Sequence, residues 1–213
     1  MEWAIKGQSE LLHMNSSVVK HNFSLEIFVH SKNVGNIALR IGEKIKLEQI
    51  EKQKLYEAAL LHDIGKSKIP QSILYKEGKL SSEEWEIMKK HAVYSEELFL
   101  SMVYKSKQNI EIGEIVRYHH ENWDGSGYPE NKAGEAIPLN SRIIRIADIF
   151  DAITRPRVYR PFKIKNTMKL MENMKGREID PYIFDRSYNL LKDLLEDTYS
   201  KNTKSWRESK EIE

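Results

Sequence analysis

The chain has 213 residues, 40% hydrophobic and 31% charged, and its 34 Lys plus Arg nearly balance 32 Asp plus Glu, for a net charge of +2. That length accommodates one domain with a sizeable core, the near-neutral charge excludes a broad surface for a nucleic-acid polymer, and no run approaches the roughly 18 apolar residues of a membrane helix. With no cysteine, disulfides and thiolate ligation are excluded, so any metal is held by nitrogen and oxygen.

The start, Met-Glu-Trp-Ala-Ile-Lys-Gly, has no charged leader followed by an apolar stretch, and the expected location is the cytoplasm. Residues 1–21 read as an N-terminal extension or linker. Helical periodicity dominates the rest, and the expected fold is all-α, a single bundle of about seven helices. A first helix over about residues 23 to 46, capped by Asn22 or Ser24, carries the stripe Ile27, Val34, Ile37, Ile41 and Ile45. A second runs from about Leu47 to Asp63, where Gly65 breaks the pattern and Ile69-Pro70 opens an irregular segment ending near Gly78. A third opens at Ser81 or Ser82 with acids in its first turn and carries Trp85, Met88, Ala92 and Phe99. A fourth holds Ile112, Ile115, Val116 and His119. The glycines and prolines of Asn122 to Pro138, NWDGSGYPENKAGEAIP, forbid a continuous helix and mark an ordered loop or lid. A fifth helix, about Leu139 to Thr154, is nearly all apolar and therefore central; two more, about Lys165 to Lys175 and Asp180 to Tyr199, close the bundle, with Asp180-Pro181 as N-cap and first helical position. The domain is expected over 22–200, with a polar, frayed tail over 201–213.

Five of the seven histidines lie on or beside apolar faces, each next to another ligand type. Glu26 and His30, four apart, share one helix face. His62-Asp63 ends the apolar run Ala58-Ala59-Leu60-Leu61, so an imidazole and a carboxylate enter the interior together. His91 shares a face with Ile87, Tyr94 and Leu98, His119 continues the stripe of Ile112 and Ile115 with His120 after it, and Asp148 sits among Ile144, Ala147 and Ala152. A buried carboxylate is costly unless paired or metal-bound. Singly these residues have ordinary readings: His91 as a core histidine, Asp148 in an ion pair with Arg142 or Arg145, Glu26 beside a surface lysine. Together, five histidines and two or three carboxylates on inward faces point to a centre of divalent ions, for which mixed imidazole and carboxylate ligation suits iron, manganese, zinc or cobalt better than magnesium; iron or manganese is the expectation. The basic run Arg155, Arg157, Arg160, Lys163 and Lys165 reads either as a site for a small phosphorylated ligand or as a solvated face.

The sequences HDIGK (His62 to Lys66), HHENWDGSGYP (His119 to Pro129) and ADIFDA (Ala147 to Ala152) resemble the HD-GYP phosphodiesterases, over roughly residues 23 to 190. The resemblance implies an HD-type helical bundle with an ordered GYP loop and a metal-dependent phosphohydrolase of bacterial signalling that acts on cyclic di-GMP. It also implies roles. His30, His62, Asp63 and Asp148 match the basic metal set, with Asp63 bridging; His91, His119 and His120 match the further ligands; Glu26 stands where members with three metals have a glutamate. Lys66 resembles the lysine that meets the scissile phosphate, its alternative being a helix-end lysine facing water. Tyr128 belongs to the signature loop, and Arg157, Tyr159, Arg160 and Lys163 correspond to the segment contacting phosphate and guanine, where Val158 replaces the usual proline.

The reaction expected from the resemblance is one in which two close ions would lower the pKa of a bridging water, whose hydroxide would attack phosphorus in line with the leaving 3′ oxygen, to give linear pGpG, and GMP if a third ion is present. Asp151 either orients a ligand or pairs with Arg155. The rival readings are hydrolysis of another cyclic dinucleotide such as cyclic GMP-AMP, or of a nucleotide, and a module that binds nucleotide or a diguanylate cyclase domain without turnover. A homodimer and a diguanylate cyclase partner are the protein partners left open.

Overall fold

The computed structural model describes residues 25–154 and 166–210. Its α-helices, in chain order, are α1 (Leu25–Lys44), α2 (Gln49–Leu61), the single turn α3 (Gln71–Leu74), α4 (Ser82–Lys89), α5 (His91–Met102), α6 (Lys107–Arg117), α7 (Leu139–Thr154), α8 (Thr167–Met174) and α9 (Pro181–Lys210), with 3-10 turns at Ile64–Lys68 and Gly134–Ala136. Among the described residues there is no β-strand, only two isolated bridges, and no helix is long and apolar enough to cross a membrane. The all-helical expectation holds.

α7 is the axis of the bundle and packs on α1, α2, α6, α8 and α9. Its apolar residues face neighbours nearly all round: Ile143, Ile144, Ile146 and Ala147 are wholly buried, each isoleucine contributing roughly 1.5–3 kcal/mol of burial. Val34, Ala38 and Ile41 of α1, Leu55, Ala58 and Ala59 of α2, and Ile112 and Val116 of α6 complete this core, as the 3.6-residue period requires. Ser141 at the buried start of α7 donates to the Ile115 carbonyl at 2.9 Å, tying α7 to α6.

The helix starts follow their sequence signals. Ser81 caps α4 in a capping box with Glu84, and Asp180 Oδ1 accepts from the Tyr182 and Ile183 amides at 2.8 and 3.2 Å, with Pro181 as the first helical residue. Asp180 Oδ2 accepts from Arg142 at 2.6 Å, so one buried carboxylate both caps α9 and locks it to α7.

Three elements differ from expectation. The third helix is two, α4 and α5, which break at Lys90, whose N–H turns back to the Ile87 and Met88 carbonyls. His119 lies beyond the end of α6 rather than on its stripe. α9 continues past Tyr199 to Lys210, where a frayed tail was expected. Residues 1–24, with His13, His21, Asn22 and Ser24, and residues 155–165, with the whole basic run, lie outside the described residues.

Candidate metal centre

Three histidines are held by one repeated local device. His62 ends α2 and its Nδ1 lies 2.7 Å from the Ala59 carbonyl; His91 opens α5 with Nδ1 2.8 Å from the Met88 carbonyl; His119 follows α6 with Nδ1 2.6 Å from the Val116 carbonyl. Each carbonyl belongs to a last helical turn, where acceptors lack a partner within the helix. A carbonyl only accepts, so Nδ1 carries the proton and the lone pair sits on Nε2. All three Nε2 atoms are buried without a hydrogen-bond partner, and so is Asp63 Oδ1. Burial, aided by neighbouring imidazoles, lowers the pKa of His119 far below its ordinary value, and burial also lowers that of His91, keeping these rings neutral, as metal ligation requires.

The ligand atoms form two groups, each spanning no more than 4.8 Å: Asp63, His91, His119 and His120 in one, and His30, His62 and Asp63 in the other. Asp63 belongs to both, the position of a bridge. Its Oδ1 lies 3.4 Å from His91 Nε2, and its Oδ2 lies 3.4 Å from His62 Nε2 and 3.7 Å from His30 Nε2. Burial alone would raise the pKa of this carboxyl; the Lys66 ammonium and the surrounding imidazoles hold it well below the usual carboxylate range. Orphaned nitrogen and oxygen atoms, buried and convergent, fit divalent cations, and they fit little else that a packed interior offers.

His30 of α1 is set between two carboxylates of α7, with Nε2 3.1 Å from Asp148 Oδ1 and Nδ1 2.7 Å from Asp151 Oδ2. Burial would lower its pKa, but these two bonds raise it to about 9. Asp148 therefore pairs with His30. Neither suggested arginine takes it, since Arg142 pairs with Asp180 and Arg145 turns to Asn122 and His120. Asp151 acts as the orienting partner of His30; Arg155 lies outside the described residues. Glu26 is exposed and lines the cavity of about 370 Å³ that also holds His30, Asp63, Lys66 and Asp148, but it contributes no atom to either close group. Lys66 stands at this cavity with Nζ 2.6 Å from Asp63 Oδ2.

His120 differs from the other rings. Arg145 Nη1 donates to its Nδ1 at 3.2 Å, so the neutral ring carries its proton on Nε2, and it presents a lone pair there only when Arg145 gives up Nδ1. Tyr128 stacks on His120 with ring centroids 4.8 Å apart, and burial pushes its phenol far up, so it stays protonated.

The signature loop is ordered, as read from its glycines. The Asp124 amide donates to the Arg177 carbonyl at 2.8 Å, docking the loop on the connection between α8 and α9. Gly125 takes a φ of +82°, the bend glycine permits. Gly127 serves closeness instead, because a Cβ there would lie 2.3 Å from the Asn122 amide and 2.5 Å from the His120 carbonyl. Gly65 does the same at the HD turn, where a Cβ would meet the His91 carbonyl at 2.2 Å.

Sequence reasoning passed over Glu121, Asn122 and Trp85 and gave Arg145 only as a partner for Asp148. Glu121 is buried and its Oε1 accepts from the Glu130 amide at 2.7 Å, bracing the loop. The signal for Arg145 was present: a cation inside the apolar run of α7 demands a partner as much as Asp148 does.

An HD domain family model matches residues 8–183. The chain is 38% identical over 165 residues to the 3′3′-cGAMP-specific phosphodiesterase 2 of Vibrio cholerae, covering 76% of this chain and 31% of that protein. It is 34% identical over 174 residues to the cyclic di-GMP phosphodiesterase of Thermotoga maritima, covering 81% and 46%. It thus spans about a third to a half of the length of these curated relatives. Among solved structures, an HDG"Y"P protein from Bdellovibrio bacteriovorus, Bd1817, superimposes with a TM-score of 0.62 at 19% identity, over 78% of this chain and 52% of that one, a likeness of fold. With the family model covering most of the chain, and both the HD pair and the GYP loop in place around one cluster, the chain belongs to the HD domain family, in its HD-GYP branch.

Proposed function

We propose that this chain is a metal-dependent phosphodiesterase that hydrolyses cyclic di-GMP to linear pGpG, and onward to GMP if a third ion binds. The observation that carries the reading is the convergence of three imidazole Nε2 atoms and one Asp63 oxygen, all buried and all without a hydrogen-bond partner. His62, His91, His119 and Asp63 would hold the metal, joined by His30, Asp148 and His120; Glu26, on the same face as His30, is the candidate for a third ion. The relatives' named activities on cyclic dinucleotides support the substrate class.

Bound divalent ions supply Lewis acidity toward the phosphate and ready deprotonation of water; the nitrogen and carboxylate donors suit iron or manganese. The chain's own groups do the rest. Lys66 places an ammonium at the cavity mouth beside Asp63, where a phosphodiester oxygen approaching the cluster gains a charge-assisted bond. Asp151 fixes the ring of His30. Tyr128, stacked on His120 and kept protonated by burial, is no base. Arg157, Tyr159, Arg160 and Lys163 fit phosphate and guanine contacts by their place in the family motif. The protein partners that fit are a diguanylate cyclase domain and a second copy of the chain, in a cytoplasmic setting.

A second reading, hydrolysis of 3′3′-cGAMP, is favoured by the likeness to the Vibrio cholerae enzyme. The test is anaerobic turnover of both dinucleotides by protein reconstituted with iron or manganese, with bound metal counted, beside a His62→Ala, Asp63→Ala variant. Turnover that vanishes with the metal in the variant is expected; metal-loaded protein without turnover on either substrate would leave a binding module instead.

A further inference from the structure

On the Tyr128 side of the cluster lies a second cavity, of about 340 Å³, and it holds a cation with no role in the chemistry above. Arg145 donates through Nε and Nη2 to Asn122 Oδ1 at 3.2 and 2.8 Å, and through Nη1 to His120 Nδ1 at 3.2 Å. Neither partner is a carboxylate. Among the described residues no carboxylate forms an ion pair with Arg145, and no acid lines this cavity. A half-buried guanidinium without a counter-charge is costly unless a ligand supplies acceptors. Of the five N–H groups of an arginine, the two bonds to Asn122 leave at least one on each terminal nitrogen whether or not Nη1 stays on His120, a pair of donors for two adjacent acceptors.

The cavity walls say which acceptors. Trp85 and Tyr128 meet edge to face with centroids 6.1 Å apart and ring planes at 84°, and both line the space with Asn122 and Asn131, giving a corner in which one ring offers a planar apolar wall beside a polar edge, a fit for a nucleobase. Lys89, the other cation lining it, is paired with Glu86 at 2.7 Å, so among the described residues Arg145 is the lining cation that lacks an acidic partner. Guanine presents O6 and N7 as adjacent acceptors, whereas adenine puts an N6 donor where O6 would be. Arginine has no acceptor for that donor.

We infer that Arg145 grips the O6 and N7 edge of one guanine of a cyclic dinucleotide and makes this chain select guanine-containing substrates over cyclic di-AMP. The inference rests on the phosphodiesterase reading. Asn122 holds the guanidinium in place, and one ring of the Trp85 and Tyr128 corner carries the face of the base.

The experiment measures kcat and KM of metal-loaded wild type, Arg145→Ala and Arg145→Lys on cyclic di-GMP, on cyclic di-AMP and on bis(p-nitrophenyl) phosphate, with bound metal counted. Arg145→Ala should raise KM for cyclic di-GMP by about 10- to 100-fold, the range of a bidentate arginine to guanine contact. The other two substrates should show no matching loss, and lysine, lacking the fork, should not rescue. An equal loss on both dinucleotides would overturn the inference in favour of a phosphate contact. Loss of bis(p-nitrophenyl) phosphate turnover together with bound metal would overturn it in favour of a role through His120. Wild type that cleaves bis(p-nitrophenyl) phosphate but no cyclic dinucleotide would sink the functional reading itself; cyclic dinucleotide turnover without guanine preference would sink this inference alone.

Discussion

His62, His91 and His119 each give a proton to a carbonyl at a helix end and turn the other nitrogen inward, so the ligating tautomer is fixed before any ion arrives. Replacing one of them with alanine, as in His119→Ala, should lower bound metal per chain and reduce turnover by more than the roughly 10- to 100-fold typical of losing an outer hydrogen-bonding partner. Elemental analysis beside the rate decides it, and full metal content in the variant would remove His119 from the ligand set. Asp151→Asn tests the outer partner: with His30 Nδ1 2.7 Å from Asp151, metal affinity measured by chelator competition should fall by about 10- to 100-fold. His30 also sets a pH dependence. In the metal-free protein its pKa is raised from 6.5 to about 9 by Asp148 and Asp151 against the opposing effect of burial. Its contribution is therefore fully present below about pH 6.5 and lost as pH rises through about 9, on the order of 3 kcal/mol. Metal-free protein should show a denaturation midpoint that declines over that window, and His30→Gln should flatten the decline.

At the scale of elements, two glycines let chain segments touch. Gly65 brings the Ile64–Lys68 turn against α5, its amide donating to Ser95 Oγ at 2.8 Å; a methyl there meets the His91 backbone. Gly65→Ala should destabilise the fold by about 1–3 kcal/mol or more through overpacking, read as a lower urea midpoint, and should displace His91 and so weaken metal binding. Gly127→Ala should press on the His120 and Asn122 backbone and so disturb both the loop and the His120 ring. The helices themselves were legible: α7 was read at Leu139 to Thr154 because its apolar residues cover every face, and α9 at Asp180-Pro181 because cap and proline coincide. The break at Lys90 was not, because the residues on both sides keep one apolar period; what splits them is the turn that places His91 Nδ1 on the Met88 carbonyl, a contact with no counterpart in local pattern.

For the whole molecule, the candidate ligands come from α1, the end of α2, the start of α5 and the turn after α6, with Asp148 of α7 beside His30, so metal bound there would crosslink most of the bundle. Ions that bind only the folded chain stabilise by mass action, about 4 kcal/mol at 1,000 times Kd, and Tm should drop on adding a chelator; an unchanged Tm would mean the cluster does not hold metal in solution. The sequence by itself determined the all-helical class, the central helix, the ordered loop and the residue types of the site, because burial period, caps and glycines are local properties, and the HD and GYP motifs are contiguous. Only the tertiary structure decided which atoms meet. His30 chooses Asp148 and Asp151 across 121 residues of chain, Asp63 falls between two groups of histidines, and Arg145 turns from Asp148 to Asn122 and His120. Those choices depend on the packing of α7 against its neighbours, and periodicity along one helix cannot specify which side chain of another helix will face it.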